Sequence, residues 1–257
     1  MKKDVANLKF WTERSESSEF TTVSVTDNDI HRRDLENHFI KENLTFVDNV
    51  MDIGCGTGYG TKQYASSVNS IVGSDFTENM IKKAIDDSKG ISNLSYEVGD
   101  IVLNPLSKKY NTIITQRCLI NILDPEKQYK AIQNIYNLLE DGGKYIMCEG
   151  SYNGREELNL DRLKLGLDRQ PDLEFNINFD DYKLNKFLNE RFTLIKEINF
   201  GFYDFFSRVA YPFISDIVEY DSEVNKSLKS LLIKNINLSD NYKKYDRCGI
   251  KILKKKN

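Results

Sequence analysis

Two aspartates and three glycines make the first chemical statement of this chain: Asp52-x-Gly54-x-Gly56-x-Gly58, followed by Asp75 at the end of the next apolar run. Glycine tolerates positive φ and has no Cβ in the way, so a glycine-packed turn after an apolar run lets backbone approach a ligand closely. An acidic residue ending the following run, roughly 20 residues on, is placed to accept hydrogen bonds from ribose hydroxyls. The implied chemistry is nucleoside binding. Spacing then separates two cofactor classes. A dinucleotide fingerprint needs its third glycine three positions after the second; counted from Gly56 that position holds Tyr59, and counted from Gly58 it holds Thr61. A nicotinamide-dependent reductase is therefore disfavoured.

These residues need a sheet to hold them. Between about 47 and 149 apolar runs alternate with amphipathic segments, which predicts a mostly parallel sheet covered on both faces. Strands are expected at 49–53, 70–74, 94–98, 112–115 and 144–148. Helices are expected at 59–66, at 78–88 after a Thr77 cap, and at 126–139 after Asp124-Pro125, where proline suits the first turn. Gly142-Gly143 is read as closing that last helix. Beyond Glu149 the alternation lapses for about thirty residues, then resumes with a helix at 180–190 and strands at 193–199 and 249–253. Ahead of the first strand, a helix is expected at 28–43 with an extended segment before it; the alternation from Thr21 to Thr26 is too polar for a central strand. Right-handed crossovers would bring every loop after a parallel strand to one sheet edge.

Four motifs in order, spread over residues 50–149, resemble the class I S-adenosylmethionine-dependent methyltransferases. They are the Asp52–Gly58 turn with Asp75, then Gly99-Asp100-Ile101, then Gln116-Arg117-Cys118-Leu119-Ile120-Asn121-Ile122, and last Asn137-Leu138-Leu139-Glu140-Asp141-Gly142-Gly143. The resemblance implies a Rossmann-like α/β fold: a seven-stranded, mostly parallel sheet with helices on both faces, an N-terminal arm and a helical insertion before the last strand. It implies S-adenosyl-L-methionine as cofactor and S-adenosyl-L-homocysteine as product. Asp75 would take the ribose hydroxyls. Phe76 and Ile101 would sandwich the adenine, Asp100 would accept its amino group, and Asp52 with the Gly54–Gly56 backbone would hold the methionine ammonium. Cys55, Gly58, Met80, Gln116 and Arg117 complete the expected lining. Trp11-x-x-Arg14 matches an aromatic-x-x-arginine that borders the methionine end in related sequences. The division expected is 1–45 as an arm covering the site, 46–200 as the cofactor-binding core, 201–247 as the insertion, and 248–257 as the last strand with a basic tail.

Composition narrows the partners. With 36 basic and 39 acidic residues and a net charge of -3, the chain has no electrostatic case for nucleic acid. The four cysteines are scattered without a CxxC pair, and the N-terminal lysines lead into no apolar run. Neither feature suggests a membrane or an oxidising compartment, so a cytoplasmic protein is expected.

Methyl transfer is an in-line displacement, and a hydroxyl acceptor must also shed a proton, whereas a phosphate-type oxygen or an amine needs little help. The two histidines, His31 and His38, lie seven apart on one predicted helix face and are candidate general bases; Glu149 at the fifth strand tip is the other. Without a tight cluster of further ligands, no metal is expected. Arg32, Arg33, Arg169 and Arg208, with Tyr152 and Tyr203, fall in segments expected to converge on the binding edge. Guanidinium groups read phosphate and carboxylate bidentately, so the expected acceptor is a small anionic metabolite, phosphate-bearing or nucleotide-linked. The aromatic stretch Gly201-Phe202-Tyr203-Asp204-Phe205-Phe206 and the Trp11–Arg14 arm resemble segments of methyltransferases from bacterial surface-polysaccharide (capsule or O-antigen) gene clusters. That implies O-methylation of a sugar hydroxyl or of a phosphoramidate-type substituent. N-methylation of an amino sugar or small amine is the alternative among enzymes, and a non-catalytic cofactor-binding scaffold is the alternative outside them. An insertion as long as 201–247 reads as a lid or as a homodimer surface.

Overall fold

The computed structural model describes residues 2–17, 28–103, 108–172 and 174–256. Seven strands form one sheet: β1 (Asn49–Ile53), β2 (Ser70–Asp75), β3 (Leu94–Val98), β4 (Tyr110–Gln116), β5 (Leu139–Cys148), β6 (Phe192–Ile198) and β7 (Ile250–Lys255). Their order is β3-β2-β1-β4-β5-β7-β6. The first five run parallel, and β7 lies antiparallel between β5 and β6. The order reverses between β1 and β4. In a doubly wound sheet that is where the crevice for a ligand opens.

Successive residues of a strand point to opposite faces, and β1 shows both being covered. Val50 packs with Leu35, Ile40 and Ile146 on one side, and Met51 packs with Ile132, Ile135 and Tyr145 on the other. Along the chain's first third lie α1 (Lys2–Glu16), α2 (Ile30–Lys41), α3 (Tyr59–Tyr64) and α4 (Glu78–Asp87), of which α2 and α3 contribute to the first of these layers; α5 (Pro125–Leu138), α6 (Tyr152–Lys164) and α7 (Asp181–Arg191) follow. Asp124 caps α5 through the Glu126 amide, with Pro125 in the first turn as expected. Thr77 stands at the cap position of α4, but its side chain makes no cap bond.

Between β6 and β7 runs the insertion: α8 (Gly201–Phe205), a π-helical turn Phe206–Ala210, α9 (Tyr211–Ile214), α10 (Glu223–Lys234) and 3-10 turns over Ile236–Tyr245. The π turn is continuous with α8 and α9, and such turns often mark functional sites. Among the described residues no helix is long and apolar enough to cross a membrane.

Three local expectations need correction. Residues 11–16 are helical within α1 rather than extended, anchored by Phe10 stacked on Phe175 at 4.0 Å and by Asn7 donating to the Asn121 carbonyl. The segment Thr21–Thr26 lies outside the described residues. Helix α6 occupies the stretch where alternation lapsed; its sequence is polar, and it is held by a Ser151 cap and by Leu158 in a small satellite core. Gly142-Gly143 does not cap α5, which ends at Leu138 and passes directly into β5. Gly142, at φ +68°, instead accompanies the register shift between Tyr110 and Thr112.

Candidate active site

The carboxyl ends of β1, β2 and β4 open onto a crevice made of two adjoining cavities of about 230 and 400 Å³, which share Gly54, Asp75, Phe76, Cys118 and Asn121. The turn that floors it requires its glycines. Gly54 sits at φ +73°, and a Cβ there would lie 2.3 Å from the Cys118 sulfur; Gly58, at φ +75°, would meet the Tyr96 hydroxyl at 2.3 Å. Gly54, Cys55 and Gly56 line the crevice, while Gly58 supports it from behind as the residue before α3.

Asp75 ends β2 and faces both cavities. Its two oxygens accept from the backbone amides of Gly56 at 3.0 Å and Thr77 at 2.8 Å. Burial pushes its carboxyl up, and those two amides pull it back. Asp52 accepts from Thr61 Oγ1 at 2.6 Å; burial pushes it up to about 7, against the pull of that hydroxyl and of Arg33. Asp100 and Ile101 line the larger cavity, where one Asp100 oxygen is committed to the amides of Val102 and Leu103. Phe76 lines both cavities, and Met80 and Gln116 line the smaller one. Trp11 also lines the smaller cavity, and its buried Nε1 has no hydrogen-bond partner among the described residues. Arg14, one turn on, faces Phe10 at 6.0 Å and lines neither cavity. Arg117 lines the crevice in a left-handed conformation, φ 52°, which for a non-glycine residue is strain of the sort found at ligand sites. A salt bridge to Glu36 at 2.7 Å and a hydrogen bond donated by its backbone amide to the Cys148 carbonyl hold it there.

The general-base candidates are not where the sequence suggested. His31 is buried against Asp221, Nε2 to Oδ1 3.1 Å, and His38 reaches Glu42 one turn along the same helix at 3.3 Å; neither lines the crevice. Glu149 lies beneath it. Its two oxygens accept from the amides of Cys118, Leu119 and Ile120, so it clamps the turn after β4; burial pushes it up to about 8, while the amides of Leu119 and Ile120 pull the other way. Replacing His31 or His38 by Ala should therefore leave turnover within about twofold, since a general base typically contributes at least 10²-fold. A hundredfold loss in steady-state rate at either position would contradict this placement.

The arginines divide into two groups. Arg33, Arg117, Arg208 and Arg247 line the smaller cavity. Arg32 does not: it is fully buried, bridging Glu36 at 2.8 Å, Asp204 at 3.2 Å and the Cys248 carbonyl at 2.9 Å, with its guanidinium 4.3 Å over Phe200. Tyr203 is buried as well, donating to Asp29 at 2.8 Å. Arg169 pairs with Glu156 on the exposed side of α6, and Tyr152 is exposed at the start of that helix; neither reaches the crevice. Arg247, Glu36, Asp29 and Asp204 went unnoticed in the sequence. Only Arg247 had a readable signal, since an antiparallel last strand must start at the edge where the parallel strands end. Glu36, Cys148 and Cys248 offer ligand-type atoms within 4.8 Å of one another, but the Glu36 oxygens already accept from Arg32, Arg117 and Gln116. That makes the group a charge network, not a metal cradle.

A switch-point crevice with an acid at each of its first two strand tips defines a nucleoside-cofactor fold of the doubly wound class. A methyltransferase-domain family model matches residues 47–190, more than half of the chain. The chain is 25% identical over 141 residues to phosphoethanolamine N-methyltransferase 1 of Caenorhabditis elegans, covering 54% of this chain and 30% of that protein. Among solved structures it resembles N-methyltransferase NodS of Bradyrhizobium japonicum in complex with S-adenosyl-L-homocysteine (TM-score 0.60, 13% identity, 97% of this chain and 98% of that one). It also resembles phosphoethanolamine N-methyltransferase 1 of Haemonchus contortus (TM-score 0.65, 19% identity, 99% of this chain and 49% of that one). The chain spans less than half the length of the curated relatives it matches. It belongs to the class I S-adenosylmethionine-dependent methyltransferase family, whose cofactor is S-adenosylmethionine. The crevice fits that cofactor in kind: a glycine cradle that a Cβ would fill, acids for its ammonium and ribose, and a buried Trp11 donor still lacking a partner.

Proposed function

We propose that this protein transfers a methyl group from S-adenosylmethionine to a small anionic metabolite. The observation that carries the reading is the charge that lines the smaller cavity: Asp52 and Asp75 in its floor, at the carboxyl ends of β1 and β2, and Arg33, Arg117, Arg208 and Arg247 in the rest of its wall. The acidic floor suits a cationic cofactor, and the basic wall suits an acceptor carrying phosphate or carboxylate.

Asp75 would hold the ribose hydroxyls, Asp100 and Ile101 the adenine, and Asp52 with the Gly54–Gly56 turn the ammonium of the methionine end. When bound, S-adenosylmethionine supplies an electrophilic methyl group on a sulfonium. The protein's part is to position the acceptor in line with it, and the arginines hold the acceptor's charged end while Trp11 and Phe76 exclude water. The insertion 201–247 supplies Arg208 and Arg247, which supports its reading as a cover over the site.

No histidine is among the described residues lining the crevice. This favours an acceptor atom that needs no base. Within the surface-polysaccharide expectation, that atom is a phosphoramidate-type oxygen rather than a sugar hydroxyl. The same observation supports a second reading, N-methylation of a phosphate-bearing amine, and the names of the Caenorhabditis and Haemonchus relatives point the same way. An acceptor screen with radiolabelled S-adenosylmethionine, comparing phosphorylated amines, nucleotide-linked sugars and uncharged sugars, tests the proposal. Equal turnover of uncharged acceptors would refute it, and an inactive protein that binds the cofactor would return the scaffold reading.

Asp52 links cofactor binding to pH. Its folded value of about 7 lies above the unfolded one, so its contribution to stability is complete below about pH 4 and is lost as pH rises through 7. A bound ammonium favours the ionised form, so affinity runs the opposite way. The dissociation constant for S-adenosylhomocysteine should be about tenfold weaker at pH 6 than at pH 8, and Asp52→Asn should flatten the profile. Calorimetric titration at both pH values checks this; equal affinities in the unmodified protein would contradict it.

A further inference from the structure

We propose that Arg208 and Arg247 form a phosphomonoester-binding corner in the crevice wall, so that the anionic acceptor, on whose methylation this rests, carries a terminal phosphate. Both guanidinium groups are held from behind by buried carboxylates. Arg208 is 5% exposed and donates through Nη2 to Asp29, whose oxygens also receive the Tyr203 hydroxyl and the Arg32 amide. Tyr220 covers the guanidinium face at 4.0 Å. Nη1 of Arg208 is buried without a partner among the described residues, although the residue lines the cavity. A buried donor left open on a side chain anchored through Nη2 marks the place of a missing acceptor atom.

Arg247 repeats the arrangement. Its Nε and its backbone amide both donate to Asp204, at 3.2 and 3.1 Å, and its terminal nitrogens make no bond among the described residues. Asp204 is itself locked by Arg32 from the far side. Burial alone would push the Asp204 carboxyl up, but the guanidinium groups of Arg32 and Arg247 outweigh it and hold it below the usual carboxylate range. It stays ionised, and Arg247 stays oriented. A single planar fork suits a carboxylate. Two forks fixed by separate carboxylates suit the three oxygens of a phosphate, and Arg33 and Arg117 on the same wall add charge for a dianion.

The test is calorimetric titration of the full chain with glycerol 3-phosphate, with glycerol and lactate as controls and S-adenosylhomocysteine titrated separately. The unmodified protein should bind glycerol 3-phosphate at least tenfold more tightly than lactate. Arg247→Gln should lose at least tenfold of that affinity while binding S-adenosylhomocysteine within twofold of the unmodified protein. Arg208→Gln should do the same; because Arg208 also anchors Asp29, the Arg247 variant decides the matter if that protein unfolds. Glycerol 3-phosphate binding no tighter than lactate, or unaffected by Arg247→Gln, overturns the corner. Phosphate binding that follows these arginines in a protein indifferent to S-adenosylhomocysteine upholds the corner and removes the methyltransferase reading instead.

Discussion

Asp75→Asn should weaken S-adenosylhomocysteine binding about 100-fold, the largest effect on ligand affinity of any single substitution in the crevice. The carboxylate faces both cavities and already accepts from the Gly56 and Thr77 amides. Its remaining lone pairs are the proposed ribose acceptors, and hydrogen bonds to a charged group contribute about 1.5–3 kcal/mol each. An amide keeps the shape but turns an NH2 toward one of those backbone donors, so two losses combine, and about 2.7 kcal/mol corresponds to a hundredfold. Calorimetric titration measures it directly. A change under threefold, with the melting temperature unaltered, would place the ribose elsewhere.

Arg32→Ala should be the most destabilising change in the chain. Arg32 is fully buried, and its removal leaves Glu36 with only Arg117, and Asp204 with only Arg247, as a charged partner. Removing one partner of a buried ion pair typically costs about 3–5 kcal/mol, because the orphaned charge stays desolvated. In a chain of this length that corresponds to a fall in melting temperature of roughly 10 °C. Arg32→Ala combined with Asp204→Asn should recover part of the loss, since the double variant leaves one fewer buried carboxylate short of a cationic partner. Denaturant unfolding of the two variants checks this, and a single-variant loss below about 1 kcal/mol would show that water reaches the network.

Strands were the most legible part of the fold. The expected 49–53 and 94–98 coincide with β1 and β3, because short apolar runs bounded by turn residues have few other ways to be buried. The floor of the crevice was legible for a related reason: Asp52, the glycines, Asp75, Asp100 and Ile101 lie within five residues of the ends of β1, β2 and β3. The wall was not. In α2 the charged Arg32 and Glu36 are as fully buried as Leu35 and Ile40, and Arg32 is paired there with Asp204, 172 positions away. A one-dimensional reading of that helix picks its histidines as special and its arginines as interchangeable. Tertiary pairing makes Arg32 structural and leaves Arg33 to face the cavity. The helices α1 and α6 were missed because little of their surface is apolar, so neither shows the periodicity by which buried helices are recognised.

The crevice floor comes from one uninterrupted stretch of chain, whereas its wall is gathered from α2, the turn after β4, the π turn and the loop before β7. The family likeness, over 47–190, contains the floor and stops short of Arg33, Arg208 and Arg247. On the proposed reading, the family-matched centre and three of the four acceptor-binding arginines thus lie in separate parts of the chain. Two proteins alike across that centre need not share a substrate, and exchanging the flanks between relatives would be the direct route to a new acceptor.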